Sequence, residues 1–578
     1  MRSASRSDRV TPVLLVLLAA GCDGRTGPGS GSDDPPAPSI SFSDATAASG
    51  IDLVTVSGAT PSTQILEVKG GGIALVDFDR DGDRDLFVPN GATLEDTERG
   101  PGARLYRNDG GLSFTDVTAN SGIQHRRWSY GVAVGDVDGD GHEDLYVACF
   151  GPDVLLRNLG DGTFEDVTGP SGLGAEGWST SAAFSDLDLD GDLDLFVTRY
   201  LDFDPRDPPP PAQFKGIEVL NGPRGLEPLA DRFYENLGDG TFRLHGPGDP
   251  LGDLEPSYGL NVAILDFTGD GRPDVLVGND SLANHLYRND SMPGEPMAFT
   301  EVGLSSGLAH DLNGYTQATM GIAIADVNAD SRPDVFSSNF SSDSNTMHVS
   351  AGDGIYDDRT RQYGLALVSR PYLGWASGFF DFDHDGDEDL MVMNGHVYPQ
   401  ATRASMDSDY AQSILMFSNQ DARFTPVYDC PVLGEPHRDR SAVFDDLDGD
   451  GDIDVVVSEL NGPVRVLENR VDGSDRGWVT IELVDERDST DNRHAVGAML
   501  RLRAGDWEAV RWCAGGGPFQ SNWAPLLHAG LPAGVERVEV TVRWPDGASS
   551  EHAIPVRNRA VISRTEQSFA TTLRAADR

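Results

Sequence analysis

The chain has little cysteine, little positive charge and no extended apolar stretch. Four cysteines serve 578 residues, and one of them, Cys22, falls in an N-terminal leader. The other three, Cys149, Cys430 and Cys513, allow one bridge at most, so no disulfide framework organises the chain. Only 44 Lys and Arg stand against 93 Asp and Glu, a formal net charge of -49. That balance excludes a nucleic acid or an anionic membrane surface as partner. The apolar run from Val13 to Ala20 is too short to span a bilayer. No G-x-S-x-G elbow, no H-E-x-x-H and no cofactor fingerprint occurs, and the run Gly515–Gly517 has no helix after it to make a phosphate loop.

Aspartate, by contrast, is abundant and patterned. Asp77-Phe78-Asp79-Arg80-Asp81-Gly82-Asp83-Arg84-Asp85-Leu86 is the first of seven near-copies, the others beginning at Asp136, Asp186, Asp266, Asp326, Asp381 and Asp446. Asp at positions 1, 3 and 5 of a tight loop, with glycine at position 6, is the front half of an EF-hand calcium loop. The back half differs: position 12 offers no glutamate, while an Asp at position 9 is followed at once by a strand. One isolated copy reads as an Asp/Gly-rich turn; seven point to coordination of Ca²⁺. The candidate ligands are Asp77, Asp79, Asp81 and Asp85; Asp136, Asp138, Asp140 and Asp144; Asp186, Asp188, Asp190 and Asp194; Asp266, Thr268, Asp270 and Asp274; Asp326, Asn328, Asp330 and Asp334; Asp381, Asp383, Asp385 and Asp389; and Asp446, Asp448, Asp450 and Asp454. Thr268 and Asn328 at position 3, and Ser331 in place of the glycine, mark the fourth and fifth loops as the weaker binders. Seven ions would move the charge from -49 to -49 + 14 = -35. Loading should therefore stabilise the fold, and removal should loosen crowded carboxylates.

Successive motifs lie 59, 50, 80, 60, 55 and 65 residues apart, the grammar of propeller blades with insertions. A small or apolar run enters each motif, a strand leaves it, and two more short runs follow, giving four strands per unit. The phrase Phe42-Ser43-Asp44-Ala45-Thr46 repeats the end of later units, as at Phe114 and Phe164, whereas the last unit stops at Asn469 without it. The N-terminal segment can thus supply the last blade's outer strand and remove an exposed edge. From about Arg476 the pattern changes to short alternating strands with turn signals, a small β-sandwich. The expectation is an all-β chain, a seven-bladed β-propeller over 40–472 followed by a β domain over 475–565 and a tail at 566–578.

Ahead of these lies a leader at 1–21, with Arg2, Arg6 and Arg9 before the apolar run, and a Gly/Ser/Pro/Asp spacer at 22–39. Ala19-Ala20-Gly21-Cys22 resembles a lipobox in which Cys22 is lipidated, so the only membrane contact expected is an N-terminal lipid anchor. The protein is expected outside the cytoplasm, held on a bacterial cell envelope or secreted.

If the acidic loops join first and second strands, they share one face. Residues entering the first strands (Trp128, Tyr130, Trp178, Trp375) and following the second strands (Asn394, His396) then gather on the other, as a candidate mouth for a glycan, peptide or protein ligand. A propeller enzyme, a polysaccharide lyase or hydrolase, is the alternative, with His396, Arg199, Tyr200 and Asp280 as the available acid–base set. His396 with His285 or His125 could instead hold a transition metal.

The motifs resemble FG-GAP/VCBS repeats, as in integrin α propellers. Asn492-Arg493, Gly497-Ala498, the run Gly515–Gly517, Leu527-His528-Ala529-Gly530-Leu531 and Trp544-Pro545-Asp546-Gly547 resemble the ASPIC/UnbV domain, with Ser521-Asn522 where that domain usually has Ser-Gln. Together they are the arrangement of bacterial relatives of cartilage acidic protein. The resemblance implies an extracytoplasmic calcium-binding propeller and says little about activity.

Overall fold

A computed structural model describes residues 40–574, apart from 294–295, 472–475, 488 and 524–525. The leader, the spacer and Cys22 lie outside the described residues. Among the described residues, seven sheets built on four antiparallel strands each carry one acidic motif, two of them extended by a fifth strand from the C-terminal region. In every one the motif joins the first strand to the second, as between Ala74–Val76 and Asp85–Val88 or between Ser129–Gly135 and Asp144–Cys149. All seven acidic loops therefore share one end of the strands. The four-strand grammar and the position of the loops follow the sequence.

Both faces of each sheet are buried, which is why the inner strands read as unbroken small or apolar runs. Ala74 and Val76 pack on Val132 and Val134 of the second sheet, while Leu75 and Leu86 pack on Val443 and Val456 of the seventh. Similar clusters join each remaining pair of neighbours, so the sheets form a ring. The ring closes as the repeated phrase implied: Phe42–Asp44 pairs antiparallel with Val464–Asn469, Phe42 opposite Asn469.

The C-terminal region is a sandwich of two four-stranded sheets around Val479, Ile481, Leu500, Val540 and Ile562. It runs further than expected. Phe569–Arg574, assigned above to the tail, is an edge strand paired with Asn558–Arg564. Its alternation was diluted by Ala570, Thr571 and Thr572, which hid it. Cys149, Cys430 and Cys513 are buried and free, so no bridge forms among them.

One loop of this domain enters the ring. Gly515–Gly516 pairs antiparallel with the fourth sheet's inner strand, and Asn522–Trp523 pairs parallel with the first sheet's. Between them the Gln520 carbonyl accepts from Val132 N–H at 3.1 Å, and Asn522 Oδ1 accepts from Val134 N–H at 3.2 Å. Inner strands of a propeller expose an unpaired edge toward the axis. This loop covers part of that edge, satisfying backbone groups that burial would otherwise strand.

Candidate metal centres and axial core

Within each acidic loop the residues have separate duties. The position 6 N–H donates to the position 1 carboxylate, for instance Gly141 to Asp136 at 2.8 Å and Gly386 to Asp381 at 2.9 Å. The position 9 Asp bridges backbone segments. Asp144 accepts from Val137 N–H at 3.1 Å and from Asn158 N–H at 2.8 Å. Asp85, Asp194, Asp334, Asp389 and Asp454 repeat both bonds, and Asp274 takes its equivalent pair from Thr268 and Asn289. Position 9 thus clamps the third strand to the loop, a role the sequence pattern did not reveal.

Five loops bring three carboxylate oxygens within 4.8 Å of one another: Asp77, Asp79 and Asp85; Asp136, Asp138 and Asp144; Asp186, Asp188 and Asp194; Asp381, Asp383 and Asp385; Asp446, Asp448 and Asp450. The loops carrying Thr268 and Asn328, whose position 3 residues are not carboxylates, are not among these groups. Burial, then neighbouring carboxylates, pushes Asp186 and Asp188 up to about 7 and Asp446 up to about 8. Burial raises Asp85 to about 9 against the pull of the N–H bonds it accepts, and carries Asp144, Asp381 and Asp389 well above the usual range. Asp77 Oδ1, Asp136 Oδ1 and Asp446 Oδ1 are buried without a hydrogen-bond partner. Crowded carboxylates with orphaned oxygens are the donor set a hard divalent cation satisfies, so these residues fit such an ion.

The division of labour separates two variants. Asp144→Ala should cost about 2–4 kcal/mol even in chelator, because it strips two buried N–H groups of their acceptor. Asp138→Ala should lower stability in the presence of metal and leave the stripped protein within about 0.5 kcal/mol of wild type. Urea melts of both, with and without EDTA, check this; equal losses in EDTA would refute it.

The C-terminal domain sits on these loops and touches all seven. Thr490 Oγ1 donates to the Gly191 carbonyl at 2.7 Å, Arg493 to the Gly139 carbonyl at 3.0 Å, and Arg574 to the Gly82 carbonyl at 3.3 Å. His528 Nε2 lies 3.0 Å from the Gly451 carbonyl, and Trp507 and Arg501 reach Gly386 and Ser331. The Arg543 guanidinium lies against Gly271. A cationic underside thus meets the acidic face, and Glu143, held down to about 2, binds Arg84 and His494 at 3.0 Å each.

The opposite end corrects an expectation. Trp128, Tyr130, Trp178, Trp375, Asn394 and His396 do gather around the axis, but all are at most 1% exposed. They wall a core, and none can serve as a solvent-facing platform. The third sheet's insertion covers them. Its hairpin, Ala212–Phe214 with Ile217–Val219, crosses the mouth so that Lys215 donates to the Met406 carbonyl at 2.7 Å and to Ser342 at 3.0 Å, both in connections of other sheets. The 80-residue spacing was the available signal for this cover.

Of the acid–base set only Tyr200 and Asp280 meet. His396 Nε2 donates to Ser341 Oγ at 3.0 Å, Nδ1 accepts the Tyr398 N–H at 3.0 Å, and burial pushes the ring down to about 3. Tyr200 donates to Asp280 at 2.6 Å, with the buried Lys69 ammonium 3.5 Å from the same oxygen. Arg199 points elsewhere, to the Ala230 and Glu176 carbonyls. His125 and His285 bind Ser129 and Tyr287 within their own sheets, and among the described residues no histidine joins a metal-competent group. Lys69, missed from sequence, sits 4.1 Å from the Tyr200 ring centre, and Arg440 sits 4.3 Å from that of Trp375.

Comparison with known families matches an FG-GAP-like repeat model at residues 77–147, 136–197, 225–277, 266–337 and 326–392, and an ASPIC and UnbV model at 488–568. Cartilage acidic protein 1 of Xenopus tropicalis is 22% identical over 335 residues, covering 56% of this chain and 47% of that protein. Its Mus musculus counterpart is 22% identical over 330 residues, covering 56% and 48%. The match thus spans about half the length of these relatives. Among solved structures, an Agrocybe aegerita lectin that recognises non-reducing terminal N-acetylglucosamine aligns at 14% identity and TM-score 0.37, over 64% of this chain and 88% of its own.

Proposed function

We propose that this chain, which belongs to the FG-GAP-like repeat family and ends in an ASPIC and UnbV domain, is an extracytoplasmic calcium-binding β-propeller that works as a binding module for a glycan, peptide or protein partner. The buried, unpartnered carboxylate oxygens of Asp77, Asp136 and Asp446 carry the calcium reading. Oxygen-only donor sets in flexible loops suit Ca²⁺ better than Mg²⁺, which demands octahedral geometry and holds its water. The ion is structural in this reading, because the C-terminal domain covers the loops and the carboxylates would fill its coordination. Calorimetric titration of Ca²⁺ into chelator-stripped protein should show about five saturable sites, with Mg²⁺ failing to compete at equal concentration; no saturable heat would overturn the assignment.

Without metal, pH dependence should invert relative to ordinary acid denaturation. Asp136, Asp188 and Asp274 are raised by burial to about 7, so between the unfolded value near 3.8 and 7 the folded state holds more protons than the unfolded one. Stability then falls as pH rises through that window. Stripped protein should therefore melt lower at pH 7.5 than at pH 5. Calcium-loaded protein should melt higher at pH 7.5, since protons compete with the ion. Scanning calorimetry at the two pH values distinguishes these.

Partner binding belongs to the end away from the C-terminal domain. Leu312 and Tyr315 are 63% and 70% exposed on the connection entering the fifth sheet, and the Pro208–Pro211 stretch lies in the same layer of connections. Full-length protein in calcium should bind at least one class on a glycan and peptide array, and Tyr315→Ala should weaken that signal; silence across the array would overturn the binding-module reading. The envelope location and the lipid on Cys22 rest on the leader sequence, and mass spectrometry of the native N-terminus tests them.

A further inference from the structure

The axial loop leaves part of the ring's centre open. It pairs with the inner strands of the first and fourth sheets and bonds the second. On the side of the fifth and sixth sheets a cavity of about 150 Å³ remains, walled by Ile322, Ala325, Phe380, Pro518 and Trp523. A cavity of ~150 Å³ with aliphatic and aromatic walls accommodates a benzene-sized molecule.

Four polar atoms of residues lining this cavity make no hydrogen bond: Arg511 Nη2, His528 Nδ1, Ser377 Oγ and Glu388 Oε2. Their residues are 8%, 4%, 0% and 8% exposed. Buried polar atoms left unpaired cost ~1–3 kcal/mol each, a cost that a guest carrying both a donor and an acceptor would relieve here. Their chemistry defines a complement. Arg511 is already paired with Glu388 at 3.2 Å and is also close enough to Asp326, Asp381 and Asp387 to interact with them, so an anionic guest has no unpaired cation to meet. The free Nη2 needs an acceptor. His528 Nε2 faces the Gly451 carbonyl, which places the ring proton there and leaves Nδ1 as an acceptor in need of a donor.

We propose that this axial cavity is a binding site for a small uncharged molecule with an apolar body and one hydroxyl or primary amide group. The group accepts from Arg511 and donates to His528 while its ring or chain fills the apolar walls. Arg511 and Glu388 also line a surface cleft of about 470 Å³, flanked by the fifth and sixth acidic loops and the strand Trp507–Trp512. Arg511 and Glu388 thus stand at the boundary between cleft and cavity. The site is independent of the partner surface proposed above.

The test is a titration of the calcium-loaded full chain with phenol and with benzamide, with benzene as the apolar control. Phenol should saturate at one per chain. Ala514→Leu, which narrows the cavity from its wall, should weaken phenol and benzene at least tenfold. Arg511→Lys keeps the charge opposite Glu388 but removes the guanidinium fork; it should weaken phenol about tenfold and leave benzene within twofold. A crystal soaked in para-bromophenol, read by bromine anomalous scattering, makes the outcome independent of variant folding. No saturable binding, binding unchanged in both variants, or ordered water that bromophenol does not displace would each overturn the proposal.

Discussion

Stripping calcium should lower the melting temperature by about 10 °C or more. Unfolding entropy near 2.1 cal/mol/K per residue gives ~1 kcal/mol per degree for a chain of roughly 500 ordered residues. A site held at ~100 times its dissociation constant contributes about 2.7 kcal/mol, and five loops converge three carboxylates each. Their sum, ~13 kcal/mol, corresponds to ~13 °C. The loss should also be cooperative across domains, because each acidic loop touches the C-terminal domain through groups such as Arg493 on Gly139 and His528 on Gly451. Scanning calorimetry with and without EDTA, together with elemental analysis, reads both quantities. A shift below ~3 °C with calcium present in the sample would mean that the loops hold their shape without the ion.

Gly72→Val should be more damaging than its place in a glycine run suggests. A Cβ at Gly72 would collide with the Gln520 carbonyl oxygen, the group that bonds Val132. The axial loop could then no longer seat. Phe519, fully buried and 4.9 Å from the Trp375 ring centre, would be withdrawn, as would the pairing of Asn522–Trp523 with Ala74 and Leu75. Losing one buried aromatic costs ~3–5 kcal/mol, and the stranded backbone bonds add ~1 kcal/mol each. A total near 5 kcal/mol is expected, together with faster proteolytic release of the C-terminal domain in calcium. Phe519→Ala should show most of the stability loss with the loop still seated. Near-wild-type melts for Gly72→Val would show that the loop is not needed to complete the ring.

Much of this architecture was legible because repetition multiplies weak signals. One Asp-rich turn says little, but seven at similar spacing place a strand on each side of every loop, and the orphan phrase at Phe42 located the closing strand. The candidate acidic ligand sets came from the same repetition. What stayed hidden depends on non-repeating contacts. Trp128, Trp375 and His396 read as a surface because aromatic and polar residues at strand ends carry no mark of what covers them; the cover is a hairpin from a single insertion. Position 9 read only as a ligand because its backbone partners, such as Asn158 for Asp144, lie on another strand. The glycine run Gly515–Gly517 read only as something other than a phosphate loop, since the edges the axial loop pairs with are more than 250 and 440 residues away in the chain.

Those long separations govern how the molecule can be made. The first sheet acquires its axial partner from Asn522–Trp523, and the last sheet acquires its outer strand from Phe42–Asp44. An emerging chain can therefore build six sheets in order, yet Phe42–Asp44 waits for Val464–Asn469 and the first sheet's inner edge waits longer, for Asn522–Trp523. Loop-closure entropy grows only slowly with length, so the late joints are thermodynamically affordable but kinetically last. The nascent protein is sticky for most of its synthesis and becomes sealed at the end. A truncation that removed only the final hundred residues would leave the first ring edge open for the lifetime of the product.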